Sequence, residues 1–388
     1  MENKISLYVH IPFCVRKCAY CDFLSAPATE KEQEEYVAAL VTEIGLAAFC
    51  KGRKAASVYF GGGTPSILRP ELIERIMDSL RENFCFLDET EVSMEVNPGT
   101  VTGEKLERYR KAGINRLSIG LQSVSSRDLE VLGRIHTYED FLETYRLARE
   151  AGFQNISADL MAALPGQSVE EYLKGLKLVA ELGLEHISAY SLIVEEGTPF
   201  YERYYGKEYL LPTEDEDREM YVRTREILEE FKYTRYEISN YAKKGYECRH
   251  NMVYWMRDEY MGFGVGSASL VEETRYRNIQ DVKEYIALMK RVREEKFDPV
   301  VALKQLREEV CKLTEQEQME EFMFLGLRLI GGRRVSDFQQ KFGKELQSVY
   351  EKQLDRFQKE GCLTFGDCVK LTEKGLDISN YVMSEFLL

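Results

Sequence analysis

Residues 8–23 read Tyr8-Val-His-Ile-Pro-Phe-Cys14-Val-Arg-Lys-Cys18-Ala-Tyr-Cys21-Asp-Phe23, and this stretch decides how the rest of the chain is interpreted. Its three cysteines have the spacing C-x3-C-x2-C and follow an apolar run that is typical of a strand. Three thiolates this close together can bind three irons of a cubane iron–sulfur cluster, which leaves the fourth iron without a nearby cysteine. An open metal position lets a cofactor or substrate atom coordinate, so the spacing predicts a reactive centre rather than a closed structural site.

Zinc is the alternative metal for this loop, because the three cysteines together with His10 or Asp22 could complete a tetrahedral site. Zinc sites usually come as two paired half-sites, and the sequence contains no second C-x2-C. Close cysteines in a reducing compartment are more often metal ligands than disulfides. The remaining cysteines are scattered, and we interpret most of them as small buried hydrophobic residues: Cys50, Cys85, Cys248, Cys311, Cys362 and Cys368.

The composition narrows the classes of function. Lys and Arg number 52 and Asp and Glu 66, which gives a net charge of −14. An acidic chain is a poor partner for nucleic-acid phosphates, so we predict no nucleic-acid partner. No apolar run approaches the ~20 residues of a membrane-spanning helix, and the amino terminus has no leader pattern. We therefore predict a cytoplasmic protein without a transmembrane segment, with peripheral attachment to a membrane as an open alternative.

Up to about residue 195, short β-rich runs alternate with amphipathic helical stretches, several of which end in glycine (Gly113, Gly152 and Gly183). This alternation predicts six βα units around a parallel sheet, which fits a partial (β/α)6 barrel. A doubly wound open sheet is the alternative. The predicted strands are Ile5–Ile11, Ser57–Phe60, Glu91–Val96, Arg116–Leu121, Asn155–Leu160 and His186–Leu192, and the predicted helices are Glu30–Phe49, Pro70–Glu82, Thr102–Ala112, Ser125–Ala151 with an interruption near Arg134, and Val169–Leu182.

We predict three regions: an α/β partial barrel over residues 1–200, a mixed extension over 201–300, and a small winged-helix-like α+β module over 301–388. The module has no evident basic recognition helix, so packing or docking is favoured over DNA binding. The extension holds a charged helix Thr213–Phe231, a strand-like run Tyr236–Asn240 and a glycine-rich stretch 262–268, and the module holds helices Glu315–Leu329, Val335–Phe342 and Leu346–Glu360 followed by a hairpin from Leu363.

Polar or glycine residues follow each predicted strand of the barrel. Because the carboxyl ends of parallel strands meet at one edge, we expect these residues to form one site. Three consecutive glycines leave backbone N–H groups open to a ligand, and the absence of a following Gly-Lys-Ser/Thr favours an amino-acid ammonium or carboxylate over a phosphate. After the cysteine loop, the strand ends carry Gly61-Gly-Gly-Thr-Pro65, Glu95-Val-Asn97-Pro98, Gln122-Ser123, Asp159 and Tyr190-Ser191.

These motifs, in this order and over nearly the whole length, resemble the oxygen-independent coproporphyrinogen III oxidase family of radical S-adenosylmethionine (SAM) proteins. Within that family the chain is most similar to the haem-chaperone branch, HemW. The oxidases carry a further cysteine where this chain has Phe23, and they have a longer segment before the cluster than precedes Cys14. The run from His250 to Trp255 matches the H-N-x-x-Y-W motif of the haem chaperones and contains the single Trp of the chain.

The resemblance implies a role for each matching position. Cys14, Cys18 and Cys21 would bind a [4Fe–4S] cluster, and SAM would coordinate the open iron. Haem would be the cargo, with His250 as first candidate for its neighbourhood, although local packing of His250 is an equally weighted alternative. The implied SAM contacts are Tyr8, Tyr20, Gly62, Gly63, Thr64, Glu95, Gln122, Arg134 and Asp159, with Ser191 and Ala268 as weaker matches, and the implied haem neighbourhood is Cys248, His250, Asn251, Tyr254 and Trp255.

Three functions follow from this reading of the sequence. The first is a haem chaperone that delivers haem to acceptor proteins, with respiratory and membrane-associated proteins among the candidates. The second is a coproporphyrinogen III oxidase that uses SAM for oxidative decarboxylation in porphyrin biosynthesis, which Phe23 disfavours. The third is a docking protein stabilised by zinc. No catalytic residue and no oligomeric state are predicted.

Overall fold

The computed structural model describes residues 3–295 and 297–388, and six parallel strands form its centre. Each strand pairs in parallel with the next one in sequence. Consecutive strands are thus added in one direction, without the reversal of strand order that defines a doubly wound sheet. The predicted partial barrel is confirmed, and its strands are β1 (Lys4–Ile11), β2 (Lys54–Gly62), β3 (Cys85–Val96), β4 (Arg116–Gln122), β5 (Ile156–Ala162) and β6 (His186–Ser191).

Six helices connect these strands and bury their apolar faces against the sheet. Five of them are capped at the amino terminus by a Thr or Ser side chain, as at Thr29 and Ser168, where a capping box forms, whereas the helix that begins at Pro70 has no side-chain cap. Gly113 ends one helix in the left-handed conformation, with φ of 105°. The predicted interruption near Arg134 is confirmed, and the helices are α1 (Glu30–Leu46), α2 (Pro70–Asn83), α3 (Gly103–Ala112), α4 (Ser126–Leu132), α5 (Tyr138–Glu150) and α6 (Val169–Glu181).

The six strands do not close on themselves, because other strands take their outer edges. The additional strands are β7 (Thr234–Glu237), β8 (Asn240–Ala242), β9 (Tyr260–Phe263), β10 (Ala268–Val271), β11 (Thr274–Asn278) and β12 (Arg307–Lys312). Strand β9 pairs with β1 in parallel, and β8 pairs with β6 in antiparallel fashion. The sheet therefore has twelve strands in the order β12-β11-β10-β9-β1-β2-β3-β4-β5-β6-β8-β7.

One strand prediction was wrong. The run Tyr236–Asn240 is not a single strand, since the chain turns between β7 and β8. The Glu237 carboxylate accepts hydrogen bonds from the backbone N–H of Ser239 at 2.8 Å and from Nδ2 of Asn240 at 2.6 Å. The Glu237 carboxylate thus bonds both Ser239 in the turn and Asn240 at the start of β8.

Between β6 and the carboxyl-terminal module, the described residues form five α-helices. The predicted helix Thr213–Phe231 is confirmed, with Thr213 as its cap. The H-N-x-x-Y-W motif lies on a helix that the sequence analysis did not predict. The five helices are α7 (Pro199–Tyr204), α8 (Glu214–Glu230), α9 (Arg249–Met256), α10 (Val282–Glu295) and α11 (Pro299–Leu306).

The carboxyl-terminal module has its own core, which includes Phe322, Phe338, Tyr350 and Phe357. The three predicted helices and the hairpin are confirmed, and two short helices follow the hairpin. Within the described ranges, no helix combines the length and apolar content that crossing a bilayer requires. The module consists of α12 (Glu315–Gly326), β13 (Arg333–Arg334), α13 (Val335–Phe342), α14 (Leu346–Lys359), β14 (Leu363–Phe365), β15 (Cys368–Leu371), α15 (Glu373–Asp377) and α16 (Ser379–Ser384).

Candidate functional site

The carboxyl ends of the barrel strands surround a pocket of about 140 Å³. Its walls come from the loop after β1, the glycine loop after β2 and the ends of β3, β4 and β5. The structure thus brings together most of the site residues that the sequence predicted. These lining residues are Cys14, Cys18, Tyr20, Cys21, Gly62, Gly63, Thr64, Glu95, Gln122, Arg134 and Asp159.

Three predicted cofactor contacts do not line this pocket. Tyr8 lies inside the barrel, where its hydroxyl is 3.1 Å from Nδ1 of His10. The Ser191 hydroxyl donates to Oδ1 of Asp217 at 2.5 Å. Ala268 is exposed on β10, paired with Arg277 of β11. A direct cofactor contact from Ser191 or Ala268 therefore has no support in the geometry.

The cysteine loop is pinned at both ends by backbone hydrogen bonds. At its start, the N–H of Thr64 donates to the carbonyl of Phe13 at 2.6 Å. Near its end, Ala19 donates to the carbonyl of Leu132 at 2.9 Å and accepts from the N–H of Phe200 at 3.0 Å. Burial raises the pKa of the Cys14 and Cys21 thiols. Because the loop is held in place by these backbone bonds, the three thiols line one pocket in a fixed arrangement. They fit the three protein ligands of a cluster with one open iron.

The glycine loop packs closely against the His10 ring, and Gly62 has no room for a side chain. Gly62 has a φ of 109°, and a Cβ there would lie 2.5 Å from the His10 ring. The His10 Nε2 is 3.0 Å from the carbonyl of Leu24, and Nδ1 faces Tyr8, so both ring nitrogens are engaged. His10 is therefore not free to act as the fourth ligand of a zinc ion. No three His, Cys, Asp or Glu side chains in residues 3–295 and 297–388 are arranged to hold a single metal ion.

Two carboxylates line the same pocket as the thiols. Glu95 accepts hydrogen bonds from the Tyr59 hydroxyl at 3.1 Å and from the backbone N–H of Gly62 at 3.2 Å. Asp159 accepts from the Ser118 hydroxyl at 3.1 and 3.2 Å. Burial, together with the neighbouring Asp159, raises the pKa of Glu95 to about 8. Buried acceptors of this kind suit the amino and hydroxyl groups of a bound ligand.

Arg134 ties three walls of the pocket together. Its Nη2 donates to Oδ1 of Asn97 at 3.0 Å and also to the carbonyl of Gly120. Its Nη1 lies 3.6 Å from Sγ of Cys18. Asn97 in turn donates through Nδ2 to the Thr64 hydroxyl at 2.8 Å. One guanidinium therefore links the cysteine loop to the ends of β3 and β4.

Gln122 closes the pocket in a strained conformation. Its φ is 69°, which is uncommon for a residue other than glycine and costs about 1–3 kcal/mol. The Tyr190 hydroxyl donates to Oε1 of Gln122 at 3.0 Å, which holds the side chain. Strained residues of this kind cluster at functional sites.

The residues predicted for the haem neighbourhood lie on or beside α9, and none of them lines this pocket. His250 is 1% exposed, with Nδ1 2.9 Å from the Ser57 hydroxyl and Nε2 3.0 Å from the Tyr254 hydroxyl. Burial lowers the pKa of His250 to about 3 and raises the pKa of Cys248 to about 12. Both ring nitrogens are occupied in this conformation, and the buried Cys248 thiol is protonated. Asn251 and Trp255 are half-buried on the same helix, with the Arg328 guanidinium 4.2 Å from the centre of the Trp255 ring.

Sequence reasoning missed Tyr59 and Ser118, which bond the two carboxylates. Asn97 and Tyr190 were noted only as strand ends, although both line the pocket. The available signal was the two-residue period of a strand, because Tyr59 precedes Gly61 by two residues and Ser118 precedes Gly120 by two. Side chains at that spacing point to the same face.

The fold and the thiol loop together define the class of radical SAM proteins. Comparison with known proteins agrees with this class. The model of the radical SAM superfamily matches residues 8–179, and the model of the HemN C-terminal domain matches residues 313–378. The structure of coproporphyrinogen III oxidase (HemN) from Escherichia coli, described as a radical SAM enzyme, superimposes with a TM-score of 0.85. That match covers 100% of this chain and 90% of the other at 24% identity, so it speaks for the fold.

Curated relatives identify the family to which the chain belongs within this class. Heme chaperone HemW of Bacillus subtilis (strain 168) is 36% identical, with 98% of this chain and 99% of the relative covered. Heme chaperone HemW of Lactococcus lactis is 34% identical, covering 100% of this chain and 98% of the relative. The chain therefore belongs to the HemW family of radical SAM proteins. Membership of the radical SAM superfamily implies a [4Fe–4S] cluster and SAM as cofactors.

Proposed function

We propose that this protein binds haem and delivers it to acceptor proteins. The observation that carries the proposal is the match over 98% of the chain to a relative whose name is heme chaperone HemW. Respiratory proteins associated with a membrane are the acceptors we propose, and the protein would meet them from the cytoplasmic side. No membrane anchor is needed for that role, since transient contact with the acceptor suffices.

The pocket would hold the resident cofactors. Cys14, Cys18 and Cys21 would bind the cluster. Contrary to the expectation from the sequence, the backbone N–H groups of Gly62, Gly63 and Thr64 already donate within the protein, to Glu95, Ile11 and Phe13 respectively. The two glycines would therefore leave room for the methionyl part of SAM, and Thr64 would offer its hydroxyl. Glu95 would accept hydrogen bonds from the amino group of SAM. When bound, the cluster and SAM supply one-electron redox chemistry. Tyr20, Gln122, Arg134 and Asp159 shape the remaining walls and limit the access of water.

Phe23 supports the chaperone over the oxidase. Its side chain is 59% exposed and lines the pocket next to Cys21, at the position where the oxidases carry a further cysteine. An exposed aromatic ring at the mouth of the pocket can contact a flat apolar ligand, and it supplies no thiol. The oxidase remains the second candidate because the fold is shared with HemN.

The haem neighbourhood around His250, Cys248, Asn251, Tyr254 and Trp255 stays a prediction. Ligation of haem iron by His250 would require the ring to give up its hydrogen bond to Ser57 or to Tyr254. The test is a haem titration of His250→Ala in protein that keeps its cluster. Unchanged haem affinity in that variant would remove His250 from the list of iron ligands.

The proposed function is tested with protein reconstituted without oxygen. The protein is loaded with haem and mixed with membrane vesicles from haem-starved cells, and recovery of respiratory oxidase activity is compared with the recovery from free haem at the same concentration. We expect faster recovery with the loaded protein. Equal recovery would contradict delivery. Conversion of coproporphyrinogen III by the same preparation under reducing conditions would instead support the oxidase.

A further inference from the structure

Beneath the pocket, the rings of Tyr8, Tyr59 and His250 pack against one another inside the barrel, and we call these three residues the ring stack. The Tyr59 and His250 ring centres are 5.2 Å apart with an interplanar angle of 24°. Tyr8 lies 6.4 Å from Tyr59 and 6.3 Å from His250. The stack reaches the pocket through Tyr59, because its hydroxyl donates to Oε1 of Glu95 at 3.1 Å.

His250 is the fixed end of the ring stack. The Ser57 hydroxyl donates to Ser6 at 2.9 Å, so it accepts from His250, and this pattern assigns the imidazole proton to Nδ1. Nε2 then accepts from the Tyr254 hydroxyl at 3.0 Å. The first turn of α9 is anchored as well, because the backbone N–H of His250 donates to the Glu91 carboxylate at 3.3 Å.

We propose that His250 is a positioning residue for the SAM pocket: its ring supports Tyr59, and the Tyr59 hydroxyl orients Glu95 toward the amino group of SAM. This inference rests on the proposed cofactor assignment. It gives the H-N-x-x-Y-W motif a role inside the barrel, where His250 forms part of the floor beneath the pocket.

The physical reason is the small number of donors available to Glu95. Its carboxylate accepts hydrogen bonds from the Tyr59 hydroxyl and from the backbone N–H of Gly62. Removal of the His250 ring would leave a void against one face of Tyr59. The Tyr59 ring could then move, which would weaken the hydrogen bond from its hydroxyl to Glu95. Loss of one positioned hydrogen bond to a charged group corresponds to about a tenfold weaker affinity for SAM, or 1.4 kcal/mol.

The chain offers a matched control in His186. This histidine is also fully buried, with Nδ1 2.7 Å from the Ser157 hydroxyl and Nε2 2.9 Å from the Tyr236 hydroxyl. Its ring packs against Tyr236 rather than against Tyr59. His186→Ala therefore removes an imidazole with the same kind of partners from the barrel floor without touching the ring stack.

The experiment measures SAM affinity by calorimetry in anaerobic protein of equal iron and sulfide content. We expect His250→Ala to raise the Kd for SAM about tenfold and His186→Ala to change it by less than about twofold. An unchanged Kd in His250→Ala would overturn the inference, and so would an equal rise in both variants. Wild-type protein that holds the cluster but binds no SAM would overturn the cofactor assignment as well, which distinguishes the two failures.

Two further variants separate positioning from damage to the fold. His250→Phe keeps a planar ring against Tyr59, so we expect an affinity near that of the wild type, whereas His250→Gln should behave like His250→Ala. In a double-mutant cycle, the variant that combines Tyr59→Phe with His250→Ala should bind SAM no more weakly than Tyr59→Phe alone. The reason is that His250 affects SAM only through the Tyr59 hydroxyl, which Tyr59→Phe has already removed. If the fold-changes in Kd of the two single variants multiplied in the double variant, His250 would not act on SAM binding through Tyr59.

Discussion

Nη1 of Arg134 lies 3.6 Å from Sγ of Cys18, which places the guanidinium beside one of the three cluster ligands. The same side chain is half-buried and bonded to Asn97 at 3.0 Å, so its charge is held in place. A fixed positive charge next to a cluster stabilises the reduced state, because reduction adds negative charge. Arg134 thus places a positive charge beside a cluster ligand and also holds the pocket wall together through its hydrogen bonds.

Removal of this charge should lower the reduction potential of the cluster. For Arg134→Gln we expect a midpoint lower by on the order of 50 mV, the one-electron equivalent of about 1.2 kcal/mol. Redox titration followed by electron paramagnetic resonance measures the shift. Arg16→Gln is the control, since Arg16 lines the same pocket from an exposed position where solvent screens its charge. A similar shift in both variants would contradict the local role of Arg134.

Each thiol of the loop should be needed for the cluster. Replacement of Cys14, Cys18 or Cys21 by Ser should prevent assembly, because each thiolate binds a different iron. Analysis of iron and sulfide after anaerobic reconstitution measures the effect. Cys85→Ser is the control, since Cys85 is an exposed thiol on β3. Stoichiometric zinc without sulfide in the wild-type protein would favour the zinc-stabilised alternative.

SAM binding should be linked to the titration of Glu95. Burial raises the pKa of Glu95 to about 8 in the cofactor-free protein, so the carboxyl is protonated at neutral pH. An ionised carboxylate is the better acceptor for the amino group of SAM, and binding should therefore release a proton. Affinity should rise with pH, approaching tenfold per pH unit below about 8, and level off above that value.

Calorimetry in buffers of different ionisation enthalpy measures the released proton. Glu95→Gln is the matched control because it keeps the side-chain shape and retains only the titration of the ligand itself. We expect the pH dependence that belongs to Glu95 to vanish in this variant. Equal proton release in both proteins would show that another group titrates.

The barrel was predictable because its signals are local. The predicted strand ends at Ile11 and Val96 and the predicted strand start at Arg116 matched the structure, since apolar runs, caps and glycine stops mark the boundaries of βα units. Most of the predicted contacts line one pocket for a related reason, namely that parallel strands deliver their carboxyl ends to one edge.

The extension was less predictable because its pairing is non-local. Strand β9 joins β1 across more than 250 residues, and nothing in the local sequence of Tyr260–Phe263 specifies that partner. Likewise, the position of His250 beneath Tyr59 depends on the anchoring of α9 to Glu91, a contact between distant segments. Ser191 was expected at the pocket as a strand end, but its hydroxyl is bonded to Asp217 of α8 instead.

The glycine loop should tolerate no side chain at Gly62. Gly62→Ala would place a Cβ 2.5 Å from the His10 ring in a backbone with φ of 109°, so we expect a loss of unfolding free energy of about 3 kcal/mol or more and a weaker hold on the cluster. Gly99→Ala is the matched control, because Gly99 also has positive φ, at 80°, but an added Cβ meets nothing within 4 Å. It should cost about 1 kcal/mol. Chemical denaturation of both variants measures the difference, and equal losses would mean that backbone strain alone, without the contact to His10, requires glycine at this position.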